Sequence, residues 1–168
     1  MFLSTAKFNL LLFQFHYKIK LTMGIVKTIE TFSADETFAL GEKIGKEACK
    51  GSVYTLIGDL GVGKTVLVQG VAKGLGIEEY VNSPTFTIMQ IYEEGRLPFF
   101  HFDVYRIEDE SEMDEIGYEE YFYSDGVCFI EWADIIKGII PKRHTRIEIE
   151  KDVEKGFDYR KITITEFE

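Results

Sequence analysis

Cysteine is scarce in this sequence: Cys49 and Cys128 stand far apart and lack the spacing of a metal-ligand pair. That excludes a disulfide framework and makes a reducing, cytoplasmic setting the default expectation. Both thiols read as small core residues. The three histidines, His16, His101 and His144, form no zinc pattern either. Proline is rare, and Pro84, Pro98 and Pro141 all fall at the edges of expected elements. The apolar stretch Phe8–Phe15, interrupted by Gln14, is too short to span a membrane. Basic residues are in deficit, with 19 Lys and Arg against 29 Asp and Glu and a formal charge of -10. That balance argues against a surface that grips DNA or RNA by itself.

The deficit is uneven. Residues 1–22 contain no Asp or Glu and no small-residue cleavage site of the kind a signal peptide needs. Met1–Thr22 is therefore expected to be a mis-assigned start or a disordered extension, followed by a single domain over residues 23–168. From Glu108 to Asp125 there are nine acidic residues and no Lys or Arg. This stretch reads as a solvated helical face. Alternatively, with Tyr118, Tyr121, Phe122 and Tyr123 among the acids, it reads as a docking surface for a basic partner.

What is present is dominated by one octet. Residues Gly58 to Thr65 read GDLGVGKT, which is G-x-x-x-x-G-K-[ST], the phosphate-binding P-loop pattern. Glycines allow the tight turn that brings a row of backbone N–H groups to phosphate oxygens. Lys64 is placed to reach the outer phosphates as a point charge, and the Thr65 hydroxyl to ligate Mg²⁺. The flanks agree with that chemistry. Ser52–Ile57 is an apolar, β-branched run of strand length. After the loop, Val66, Leu67, Val71 and Leu75 form a helical stripe with Gly76 as its stop.

Coarser signals place the other elements. Ile25–Glu30 reads as a strand, and Ser33 with Glu36 as a capping box opening a helix through about Cys49. Thr85–Glu93 and Pro98–Tyr105 read as two strands joined by a hairpin turn at Glu93–Arg96. A short acidic helical region covers about Ser111–Phe122, and Gly126–Ile130 is a strand of buried type. Thr145–Lys151 and Asp158–Phe167 alternate in polarity around a second hairpin. The fold class predicted is α/β: a P-loop NTPase-like mixed sheet, its parallel core extended by antiparallel additions and flanked by few helices.

Phosphoryl transfer also needs an acid at the end of a neighbouring strand to hold the metal. Glu131 caps the buried strand ending at Ile130, and Asp103 lies near the end of another in HFDVYR, residues 101–106. For either, the plain alternative is a strand-end acid exposed to water. Neither acid's flank gives a GTPase pattern, and no N/T-K-x-D guanine motif occurs.

Five segments together, Thr37–Gly41, GDLGVGKT at 58–65, Asn82–Phe86, HFDVYR at 101–106 and Ile130–Trp132, occur in the order found in the TsaE (YjeE) family. The chain resembles that family from about Val26 to Phe167. It carries Val62 where the family commonly has Ala, and Val104 where Leu is common.

The resemblance implies a small ATPase of bacterial tRNA threonylcarbamoyladenosine synthesis, acting on tRNAs that read codons beginning with adenine. It implies ATP and Mg²⁺ as cofactors, with Gly61, Val62, Gly63, Lys64, Thr65 and Val66 wrapping the phosphates. Thr65 and Glu131 would hold the metal, and Asp103 would position the attacking water or support the metal. Ser83 and Thr85 lie in a loop similar to a nucleotide-sensing switch, or else Ser83-Pro84 only turns the chain. Trp132 is either packing support or a lid, and Ser33–Thr37 is a candidate approach to the adenine. The implied partners are the TsaD and TsaB proteins, whose complex hydrolysis would reset. They would hold the tRNA, leaving this chain only indirect contact with it.

Two other readings are consistent with a phosphate loop. A P-loop small-molecule kinase would need several arginines around the transferred group, and only Arg96, Arg106, Arg143, Arg146 and Arg160 are available. A nucleotide-sensing adaptor would bind without turnover, a role that the two strand-end acids argue against.

Overall fold

In a computed structural model, Gly24 and residues 26–168 are described. The expectation for Met1–Thr22 lies outside the described residues. Seven strands form one sheet in the order β1-β7-β6-β2-β5-β4-β3. They are β1 (Val26–Thr31), β2 (Val53–Ile57), β3 (Met89–Tyr92), β4 (Phe99–Asp103), β5 (Val127–Glu131), β6 (His144–Lys151) and β7 (Arg160–Phe167). Strands β6, β2, β5 and β4 run parallel; on one flank β7 pairs antiparallel with β6 and β1 antiparallel with β7, and on the other β3 pairs antiparallel with β4. The mixed sheet expected from sequence is the one observed.

Every residue of β4 and β5 is buried. Central strands covered on both faces read as continuous apolar runs, and these do. Their side chains alternate between two cores. Phe99 and Phe129 join Leu56, Leu67, Val71 and Ile147 on one face, whereas Phe100, Phe102, Cys128 and Ile130 join Met113 and Ile136 on the other. The period-2 alternation puts His101 and Asp103 on the Phe99 face, and Glu131 on the Phe129 face beside them.

That face is covered by α2 (Lys64–Leu75), and α2 in turn by α1 (Ala34–Glu47). The two helices approach closely because glycines meet at the crossing. A Cβ at Gly70 would lie 2.1 Å from the Phe38 carbonyl oxygen, and one at Gly41 the same distance from that of Leu67. Ser33 caps α1, its Oγ accepting the Glu36 N–H at 3.1 Å, while Glu36 Oε2 accepts the Phe32 N–H at 2.8 Å. The reciprocal bond of the predicted capping box thus reaches one residue further back.

Three local expectations are corrected. The strand predicted from Thr85 begins at Met89, because the Pro84 carbonyl accepts the N–H groups of Thr87 and Ile88 and holds residues 85–87 in a turn. The acidic helical region is two short helices, α3 (Glu112–Ile116) and α4 (Glu119–Phe122), broken at the left-handed Gly117. Cys49 is exposed just past the end of α1, not a core residue. Cys128 is buried as expected, and burial pushes its thiol up to about 12. Among the described residues no helix is long and apolar enough to cross a membrane.

Candidate functional site

Strand β2 delivers the chain to the glycine loop, and Gly63 closes the loop with φ 103°. A side chain at that left-handed position would be strained. Gly63 also leaves α2 without a capping side chain, and its first turn contains no acidic residue. The N–H groups of Lys64, Thr65 and Val66 are therefore free of any side-chain cap, at the end of the helix that favours anions. Arg160, at the start of β7, braces the same loop by donating from Nε to the Val62 carbonyl at 2.6 Å.

Lys64 is only 5% exposed. Its Nζ donates to the carbonyls of Gly58 (2.7 Å) and Asp59 (3.0 Å) and lies 3.8 Å from the centroid of the Trp132 ring. Burial pushes this ammonium below its ordinary pKa, and the carboxylates of Glu131, Asp103, Asp59 and Asp134 oppose that shift. Trp132 is held above it by unusual backbone geometry: φ is 62°, and its N–H donates to the Leu56 carbonyl at 3.0 Å. The Tyr105 ring packs against the indole at 4.9 Å. Trp132 supports the lysine directly, which sharpens the choice between packing and lid.

Asp103 and Glu131 are register partners on β4 and β5, each 2% exposed. Their burial removes the alternative of water-exposed strand ends. They are anchored differently. Asp103 Oδ2 accepts from the Ser83 and Thr85 hydroxyls at 2.5 and 2.6 Å, and Oδ1 accepts the Tyr105 N–H at 3.1 Å. The loop at residues 82–86 therefore does more than turn the chain: it is tied to a strand-end acid. Arg106 packs over the exposed Phe86 ring at 4.7 Å, flanking that loop. Glu131 Oε1 instead lies 2.9 Å from His101 Nε2, inside the core.

The structure thus brings Lys64, Asp103 and Glu131 together below the loop. Thr65 is half-buried next to Lys64, and among the described residues it makes no hydrogen bond to Glu131. No cluster of three or more His, Cys, Asp or Glu side chains able to hold a metal occurs among the described residues. A magnesium shared by one hydroxyl, one carboxylate and phosphate oxygens requires no such cluster, so its absence does not bear on the expectation for Thr65 and Glu131. The predicted adenine approach is not brought to the loop by any described contact. Thr37 bonds Thr31 at 2.8 Å, and Ser33 is occupied in capping α1.

Three contributors escaped the sequence reading: His101, Arg160 and the Trp132–Lys64 contact. For His101 a signal existed, since residues i and i+2 of a strand share a face and Asp103 was already a candidate. Nothing local points to Arg160, which meets Val62 across 98 positions.

The sequence and the fold are similar to those of known proteins. The sequence model described as threonylcarbamoyl adenosine biosynthesis protein TsaE matches residues 31–162. The TsaE protein of Bacillus subtilis is 47% identical over 135 residues, covering 80% of this chain and 82% of its own length. That of Treponema pallidum is 41% identical over 117 residues, covering 70% and 86% respectively. The crystal structure of Bacillus subtilis YdiB superposes with a TM-score of 0.73 at 39% identity, covering 86% of this chain and 89% of that one. The chain belongs to the TsaE family of tRNA threonylcarbamoyladenosine biosynthesis proteins.

Proposed function

We propose that this protein is a Mg²⁺-dependent ATPase that serves tRNA threonylcarbamoyladenosine formation by binding and resetting a complex of TsaD and TsaB. The observation that carries the reading is the convergence of Lys64, Asp103 and Glu131 beneath the uncapped start of α2. Each group has a task in that reading. The N–H groups of residues 61–66 and the Lys64 ammonium bind phosphate oxygens. To do so, Lys64 leaves the carbonyls of Gly58 and Asp59 that it otherwise satisfies.

Thr65 and Glu131 hold magnesium, which supplies positive charge to the phosphates as charge develops on them. Asp103 orients the attacking water or supports the metal shell. Its ties to Ser83 and Thr85 couple the 82–86 loop to that task. Arg160 holds the loop backbone rather than pointing from a lid, and with few arginines the site is expected to turn over slowly alone.

The deciding experiment is ATP hydrolysis by the full chain with and without purified TsaD and TsaB. A rise on adding the partners is expected, with ADP and inorganic phosphate formed in equal amounts. An unchanged rate in a verified complex counts against resetting by hydrolysis. Phosphate transferred to an acceptor would support the kinase reading, and binding without turnover in the complex an adaptor.

A further inference from the structure

We infer that His101 is a positioning residue that fixes the Glu131 carboxylate, reserving one of its oxygens for a divalent cation. The inference rests on the proposed role of Glu131 as a metal-holding group and adds a residue to it. The β4–β5 register pairs His101 with Phe129 and Asp103 with Glu131, so the imidazole reaches Glu131 along the diagonal of the ladder. Its Nε2 lies 2.9 Å from Oε1, with both side chains buried. The ring stacks on Phe99 at 6.1 Å and 17°.

Packing alone does not account for a histidine here. Its slot is fully buried among Phe99 and Phe129, where an apolar ring fits without a polar atom to satisfy. Nδ1 has no hydrogen-bond partner among the described residues. Among the described residues, the imidazole's one polar engagement is thus Glu131.

A glutamate has enough side-chain torsions to sample many carboxylate orientations. Donation from Nε2 to Oε1 fixes one of them and leaves Oε2 for the cation. Outer partners of this kind orient metal-holding carboxylates, and losing one typically weakens the metal 10–100-fold. The two acids are held by separate devices. Asp103 depends on the hydroxyls of an adjoining loop, and Glu131 on a ring locked in the core.

The test compares wild type with His101→Leu, His101→Gln, His101→Asn and Glu131→Gln. Mn²⁺ binding to the ADP complex is followed by electron paramagnetic resonance. ADP affinity without metal and thermal melting are recorded for every variant. His101→Leu is expected to weaken Mn²⁺ about 10–100-fold while metal-free ADP affinity stays at the wild-type value. His101→Gln, whose amide nitrogen takes the place of Nε2, is expected to restore most of that loss. His101→Asn, too short to reach Oε1, is expected not to.

Wild-type Mn²⁺ affinity in His101→Leu, with the affinity lost in Glu131→Gln, overturns the inference and leaves the Glu131 reading standing. Wild-type affinity in Glu131→Gln removes both. If His101→Leu does not fold, the two amide variants decide, and equal Mn²⁺ affinity in them overturns the inference.

Discussion

The loop end of the sheet and the acidic segment over α3 and α4 use charge in opposite ways. At the loop end a few charged groups, Lys64, Asp103 and Glu131, are almost wholly buried, and each meets a specific partner. In the segment from Glu108 to Asp125, nine carboxylates lie at or near the surface, while Met113, Tyr118 and Phe122 between them face the core. The difference shows that the number of charges says little about where chemistry is placed. Burial is costly for a charge unless it is paired, so a protein retains a buried charge only where its surroundings hold it. Exposed carboxylates are solvated and screened, and their removal changes little.

That contrast is broken most directly at Lys64. Lys64→Ala is expected to weaken ATP binding by one to two orders of magnitude, since charge-assisted hydrogen bonds contribute about 1.5–3 kcal/mol each. Equilibrium binding of a fluorescent ATP analogue measures it, and near-normal affinity would refute the phosphate-site reading. Asp103→Asn should come next. It keeps the volume but replaces one carboxylate oxygen by an amide N–H₂, so that either the acceptor of the Ser83 and Thr85 hydroxyls or that of the Tyr105 N–H is lost, with an expected stability loss of about 1–3 kcal/mol. Hydrolysis in the TsaD–TsaB complex should fall with it, and urea unfolding separates the two effects.

Ser33→Ala sharpens the comparison from a site that lies outside both regions. Loss of the α1 cap is expected to lower stability by about 1 kcal/mol without changing ATP affinity; altered affinity would indicate that the start of α1 serves the nucleotide after all. The smallest effect is expected from Glu119→Gln combined with Glu120→Gln, within about 0.5 kcal/mol in stability. ATPase activity of the protein alone should be unchanged. A selective loss of stimulation by TsaD and TsaB would turn this face from solvated surface into a docking surface.

Much of this architecture was legible in the sequence because local periodicity encodes it. The run Val53–Ile57, the octet and the stripe through Leu67, Val71 and Leu75 each announce their element within a few residues. The hairpins joining β3 to β4 and β6 to β7 were legible from turn residues between alternating runs. Glu131 and Asp103 were legible as strand-end acids.

Lateral relations were not legible. Which acid faces which strand depends on sheet order and register, so although His101 shares a face with Asp103, its bond to Glu131 leaves no local trace, and neither does the Arg160 brace on Val62. The turn over residues 85–87 was missed because hydroxyl bonds to Asp103 and the Pro84 carbonyl override the strand propensity of Thr-Phe-Thr-Ile. Cys49 was misplaced for a simpler reason. The helix ends at Glu47, two residues short of the expected boundary, and the thiol falls outside the packed stripe.

Trp132 is the sole tryptophan of the chain, and the Lys64 ammonium rests 3.8 Å from its ring centroid. The protein therefore carries a native optical probe at the one place where the proposed function requires a charge to move. When Lys64 turns from the indole toward a phosphate, the field at the ring changes, and near-ultraviolet emission is expected to change with it. Stopped-flow fluorescence of the unlabelled protein would then time that rearrangement separately from hydrolysis.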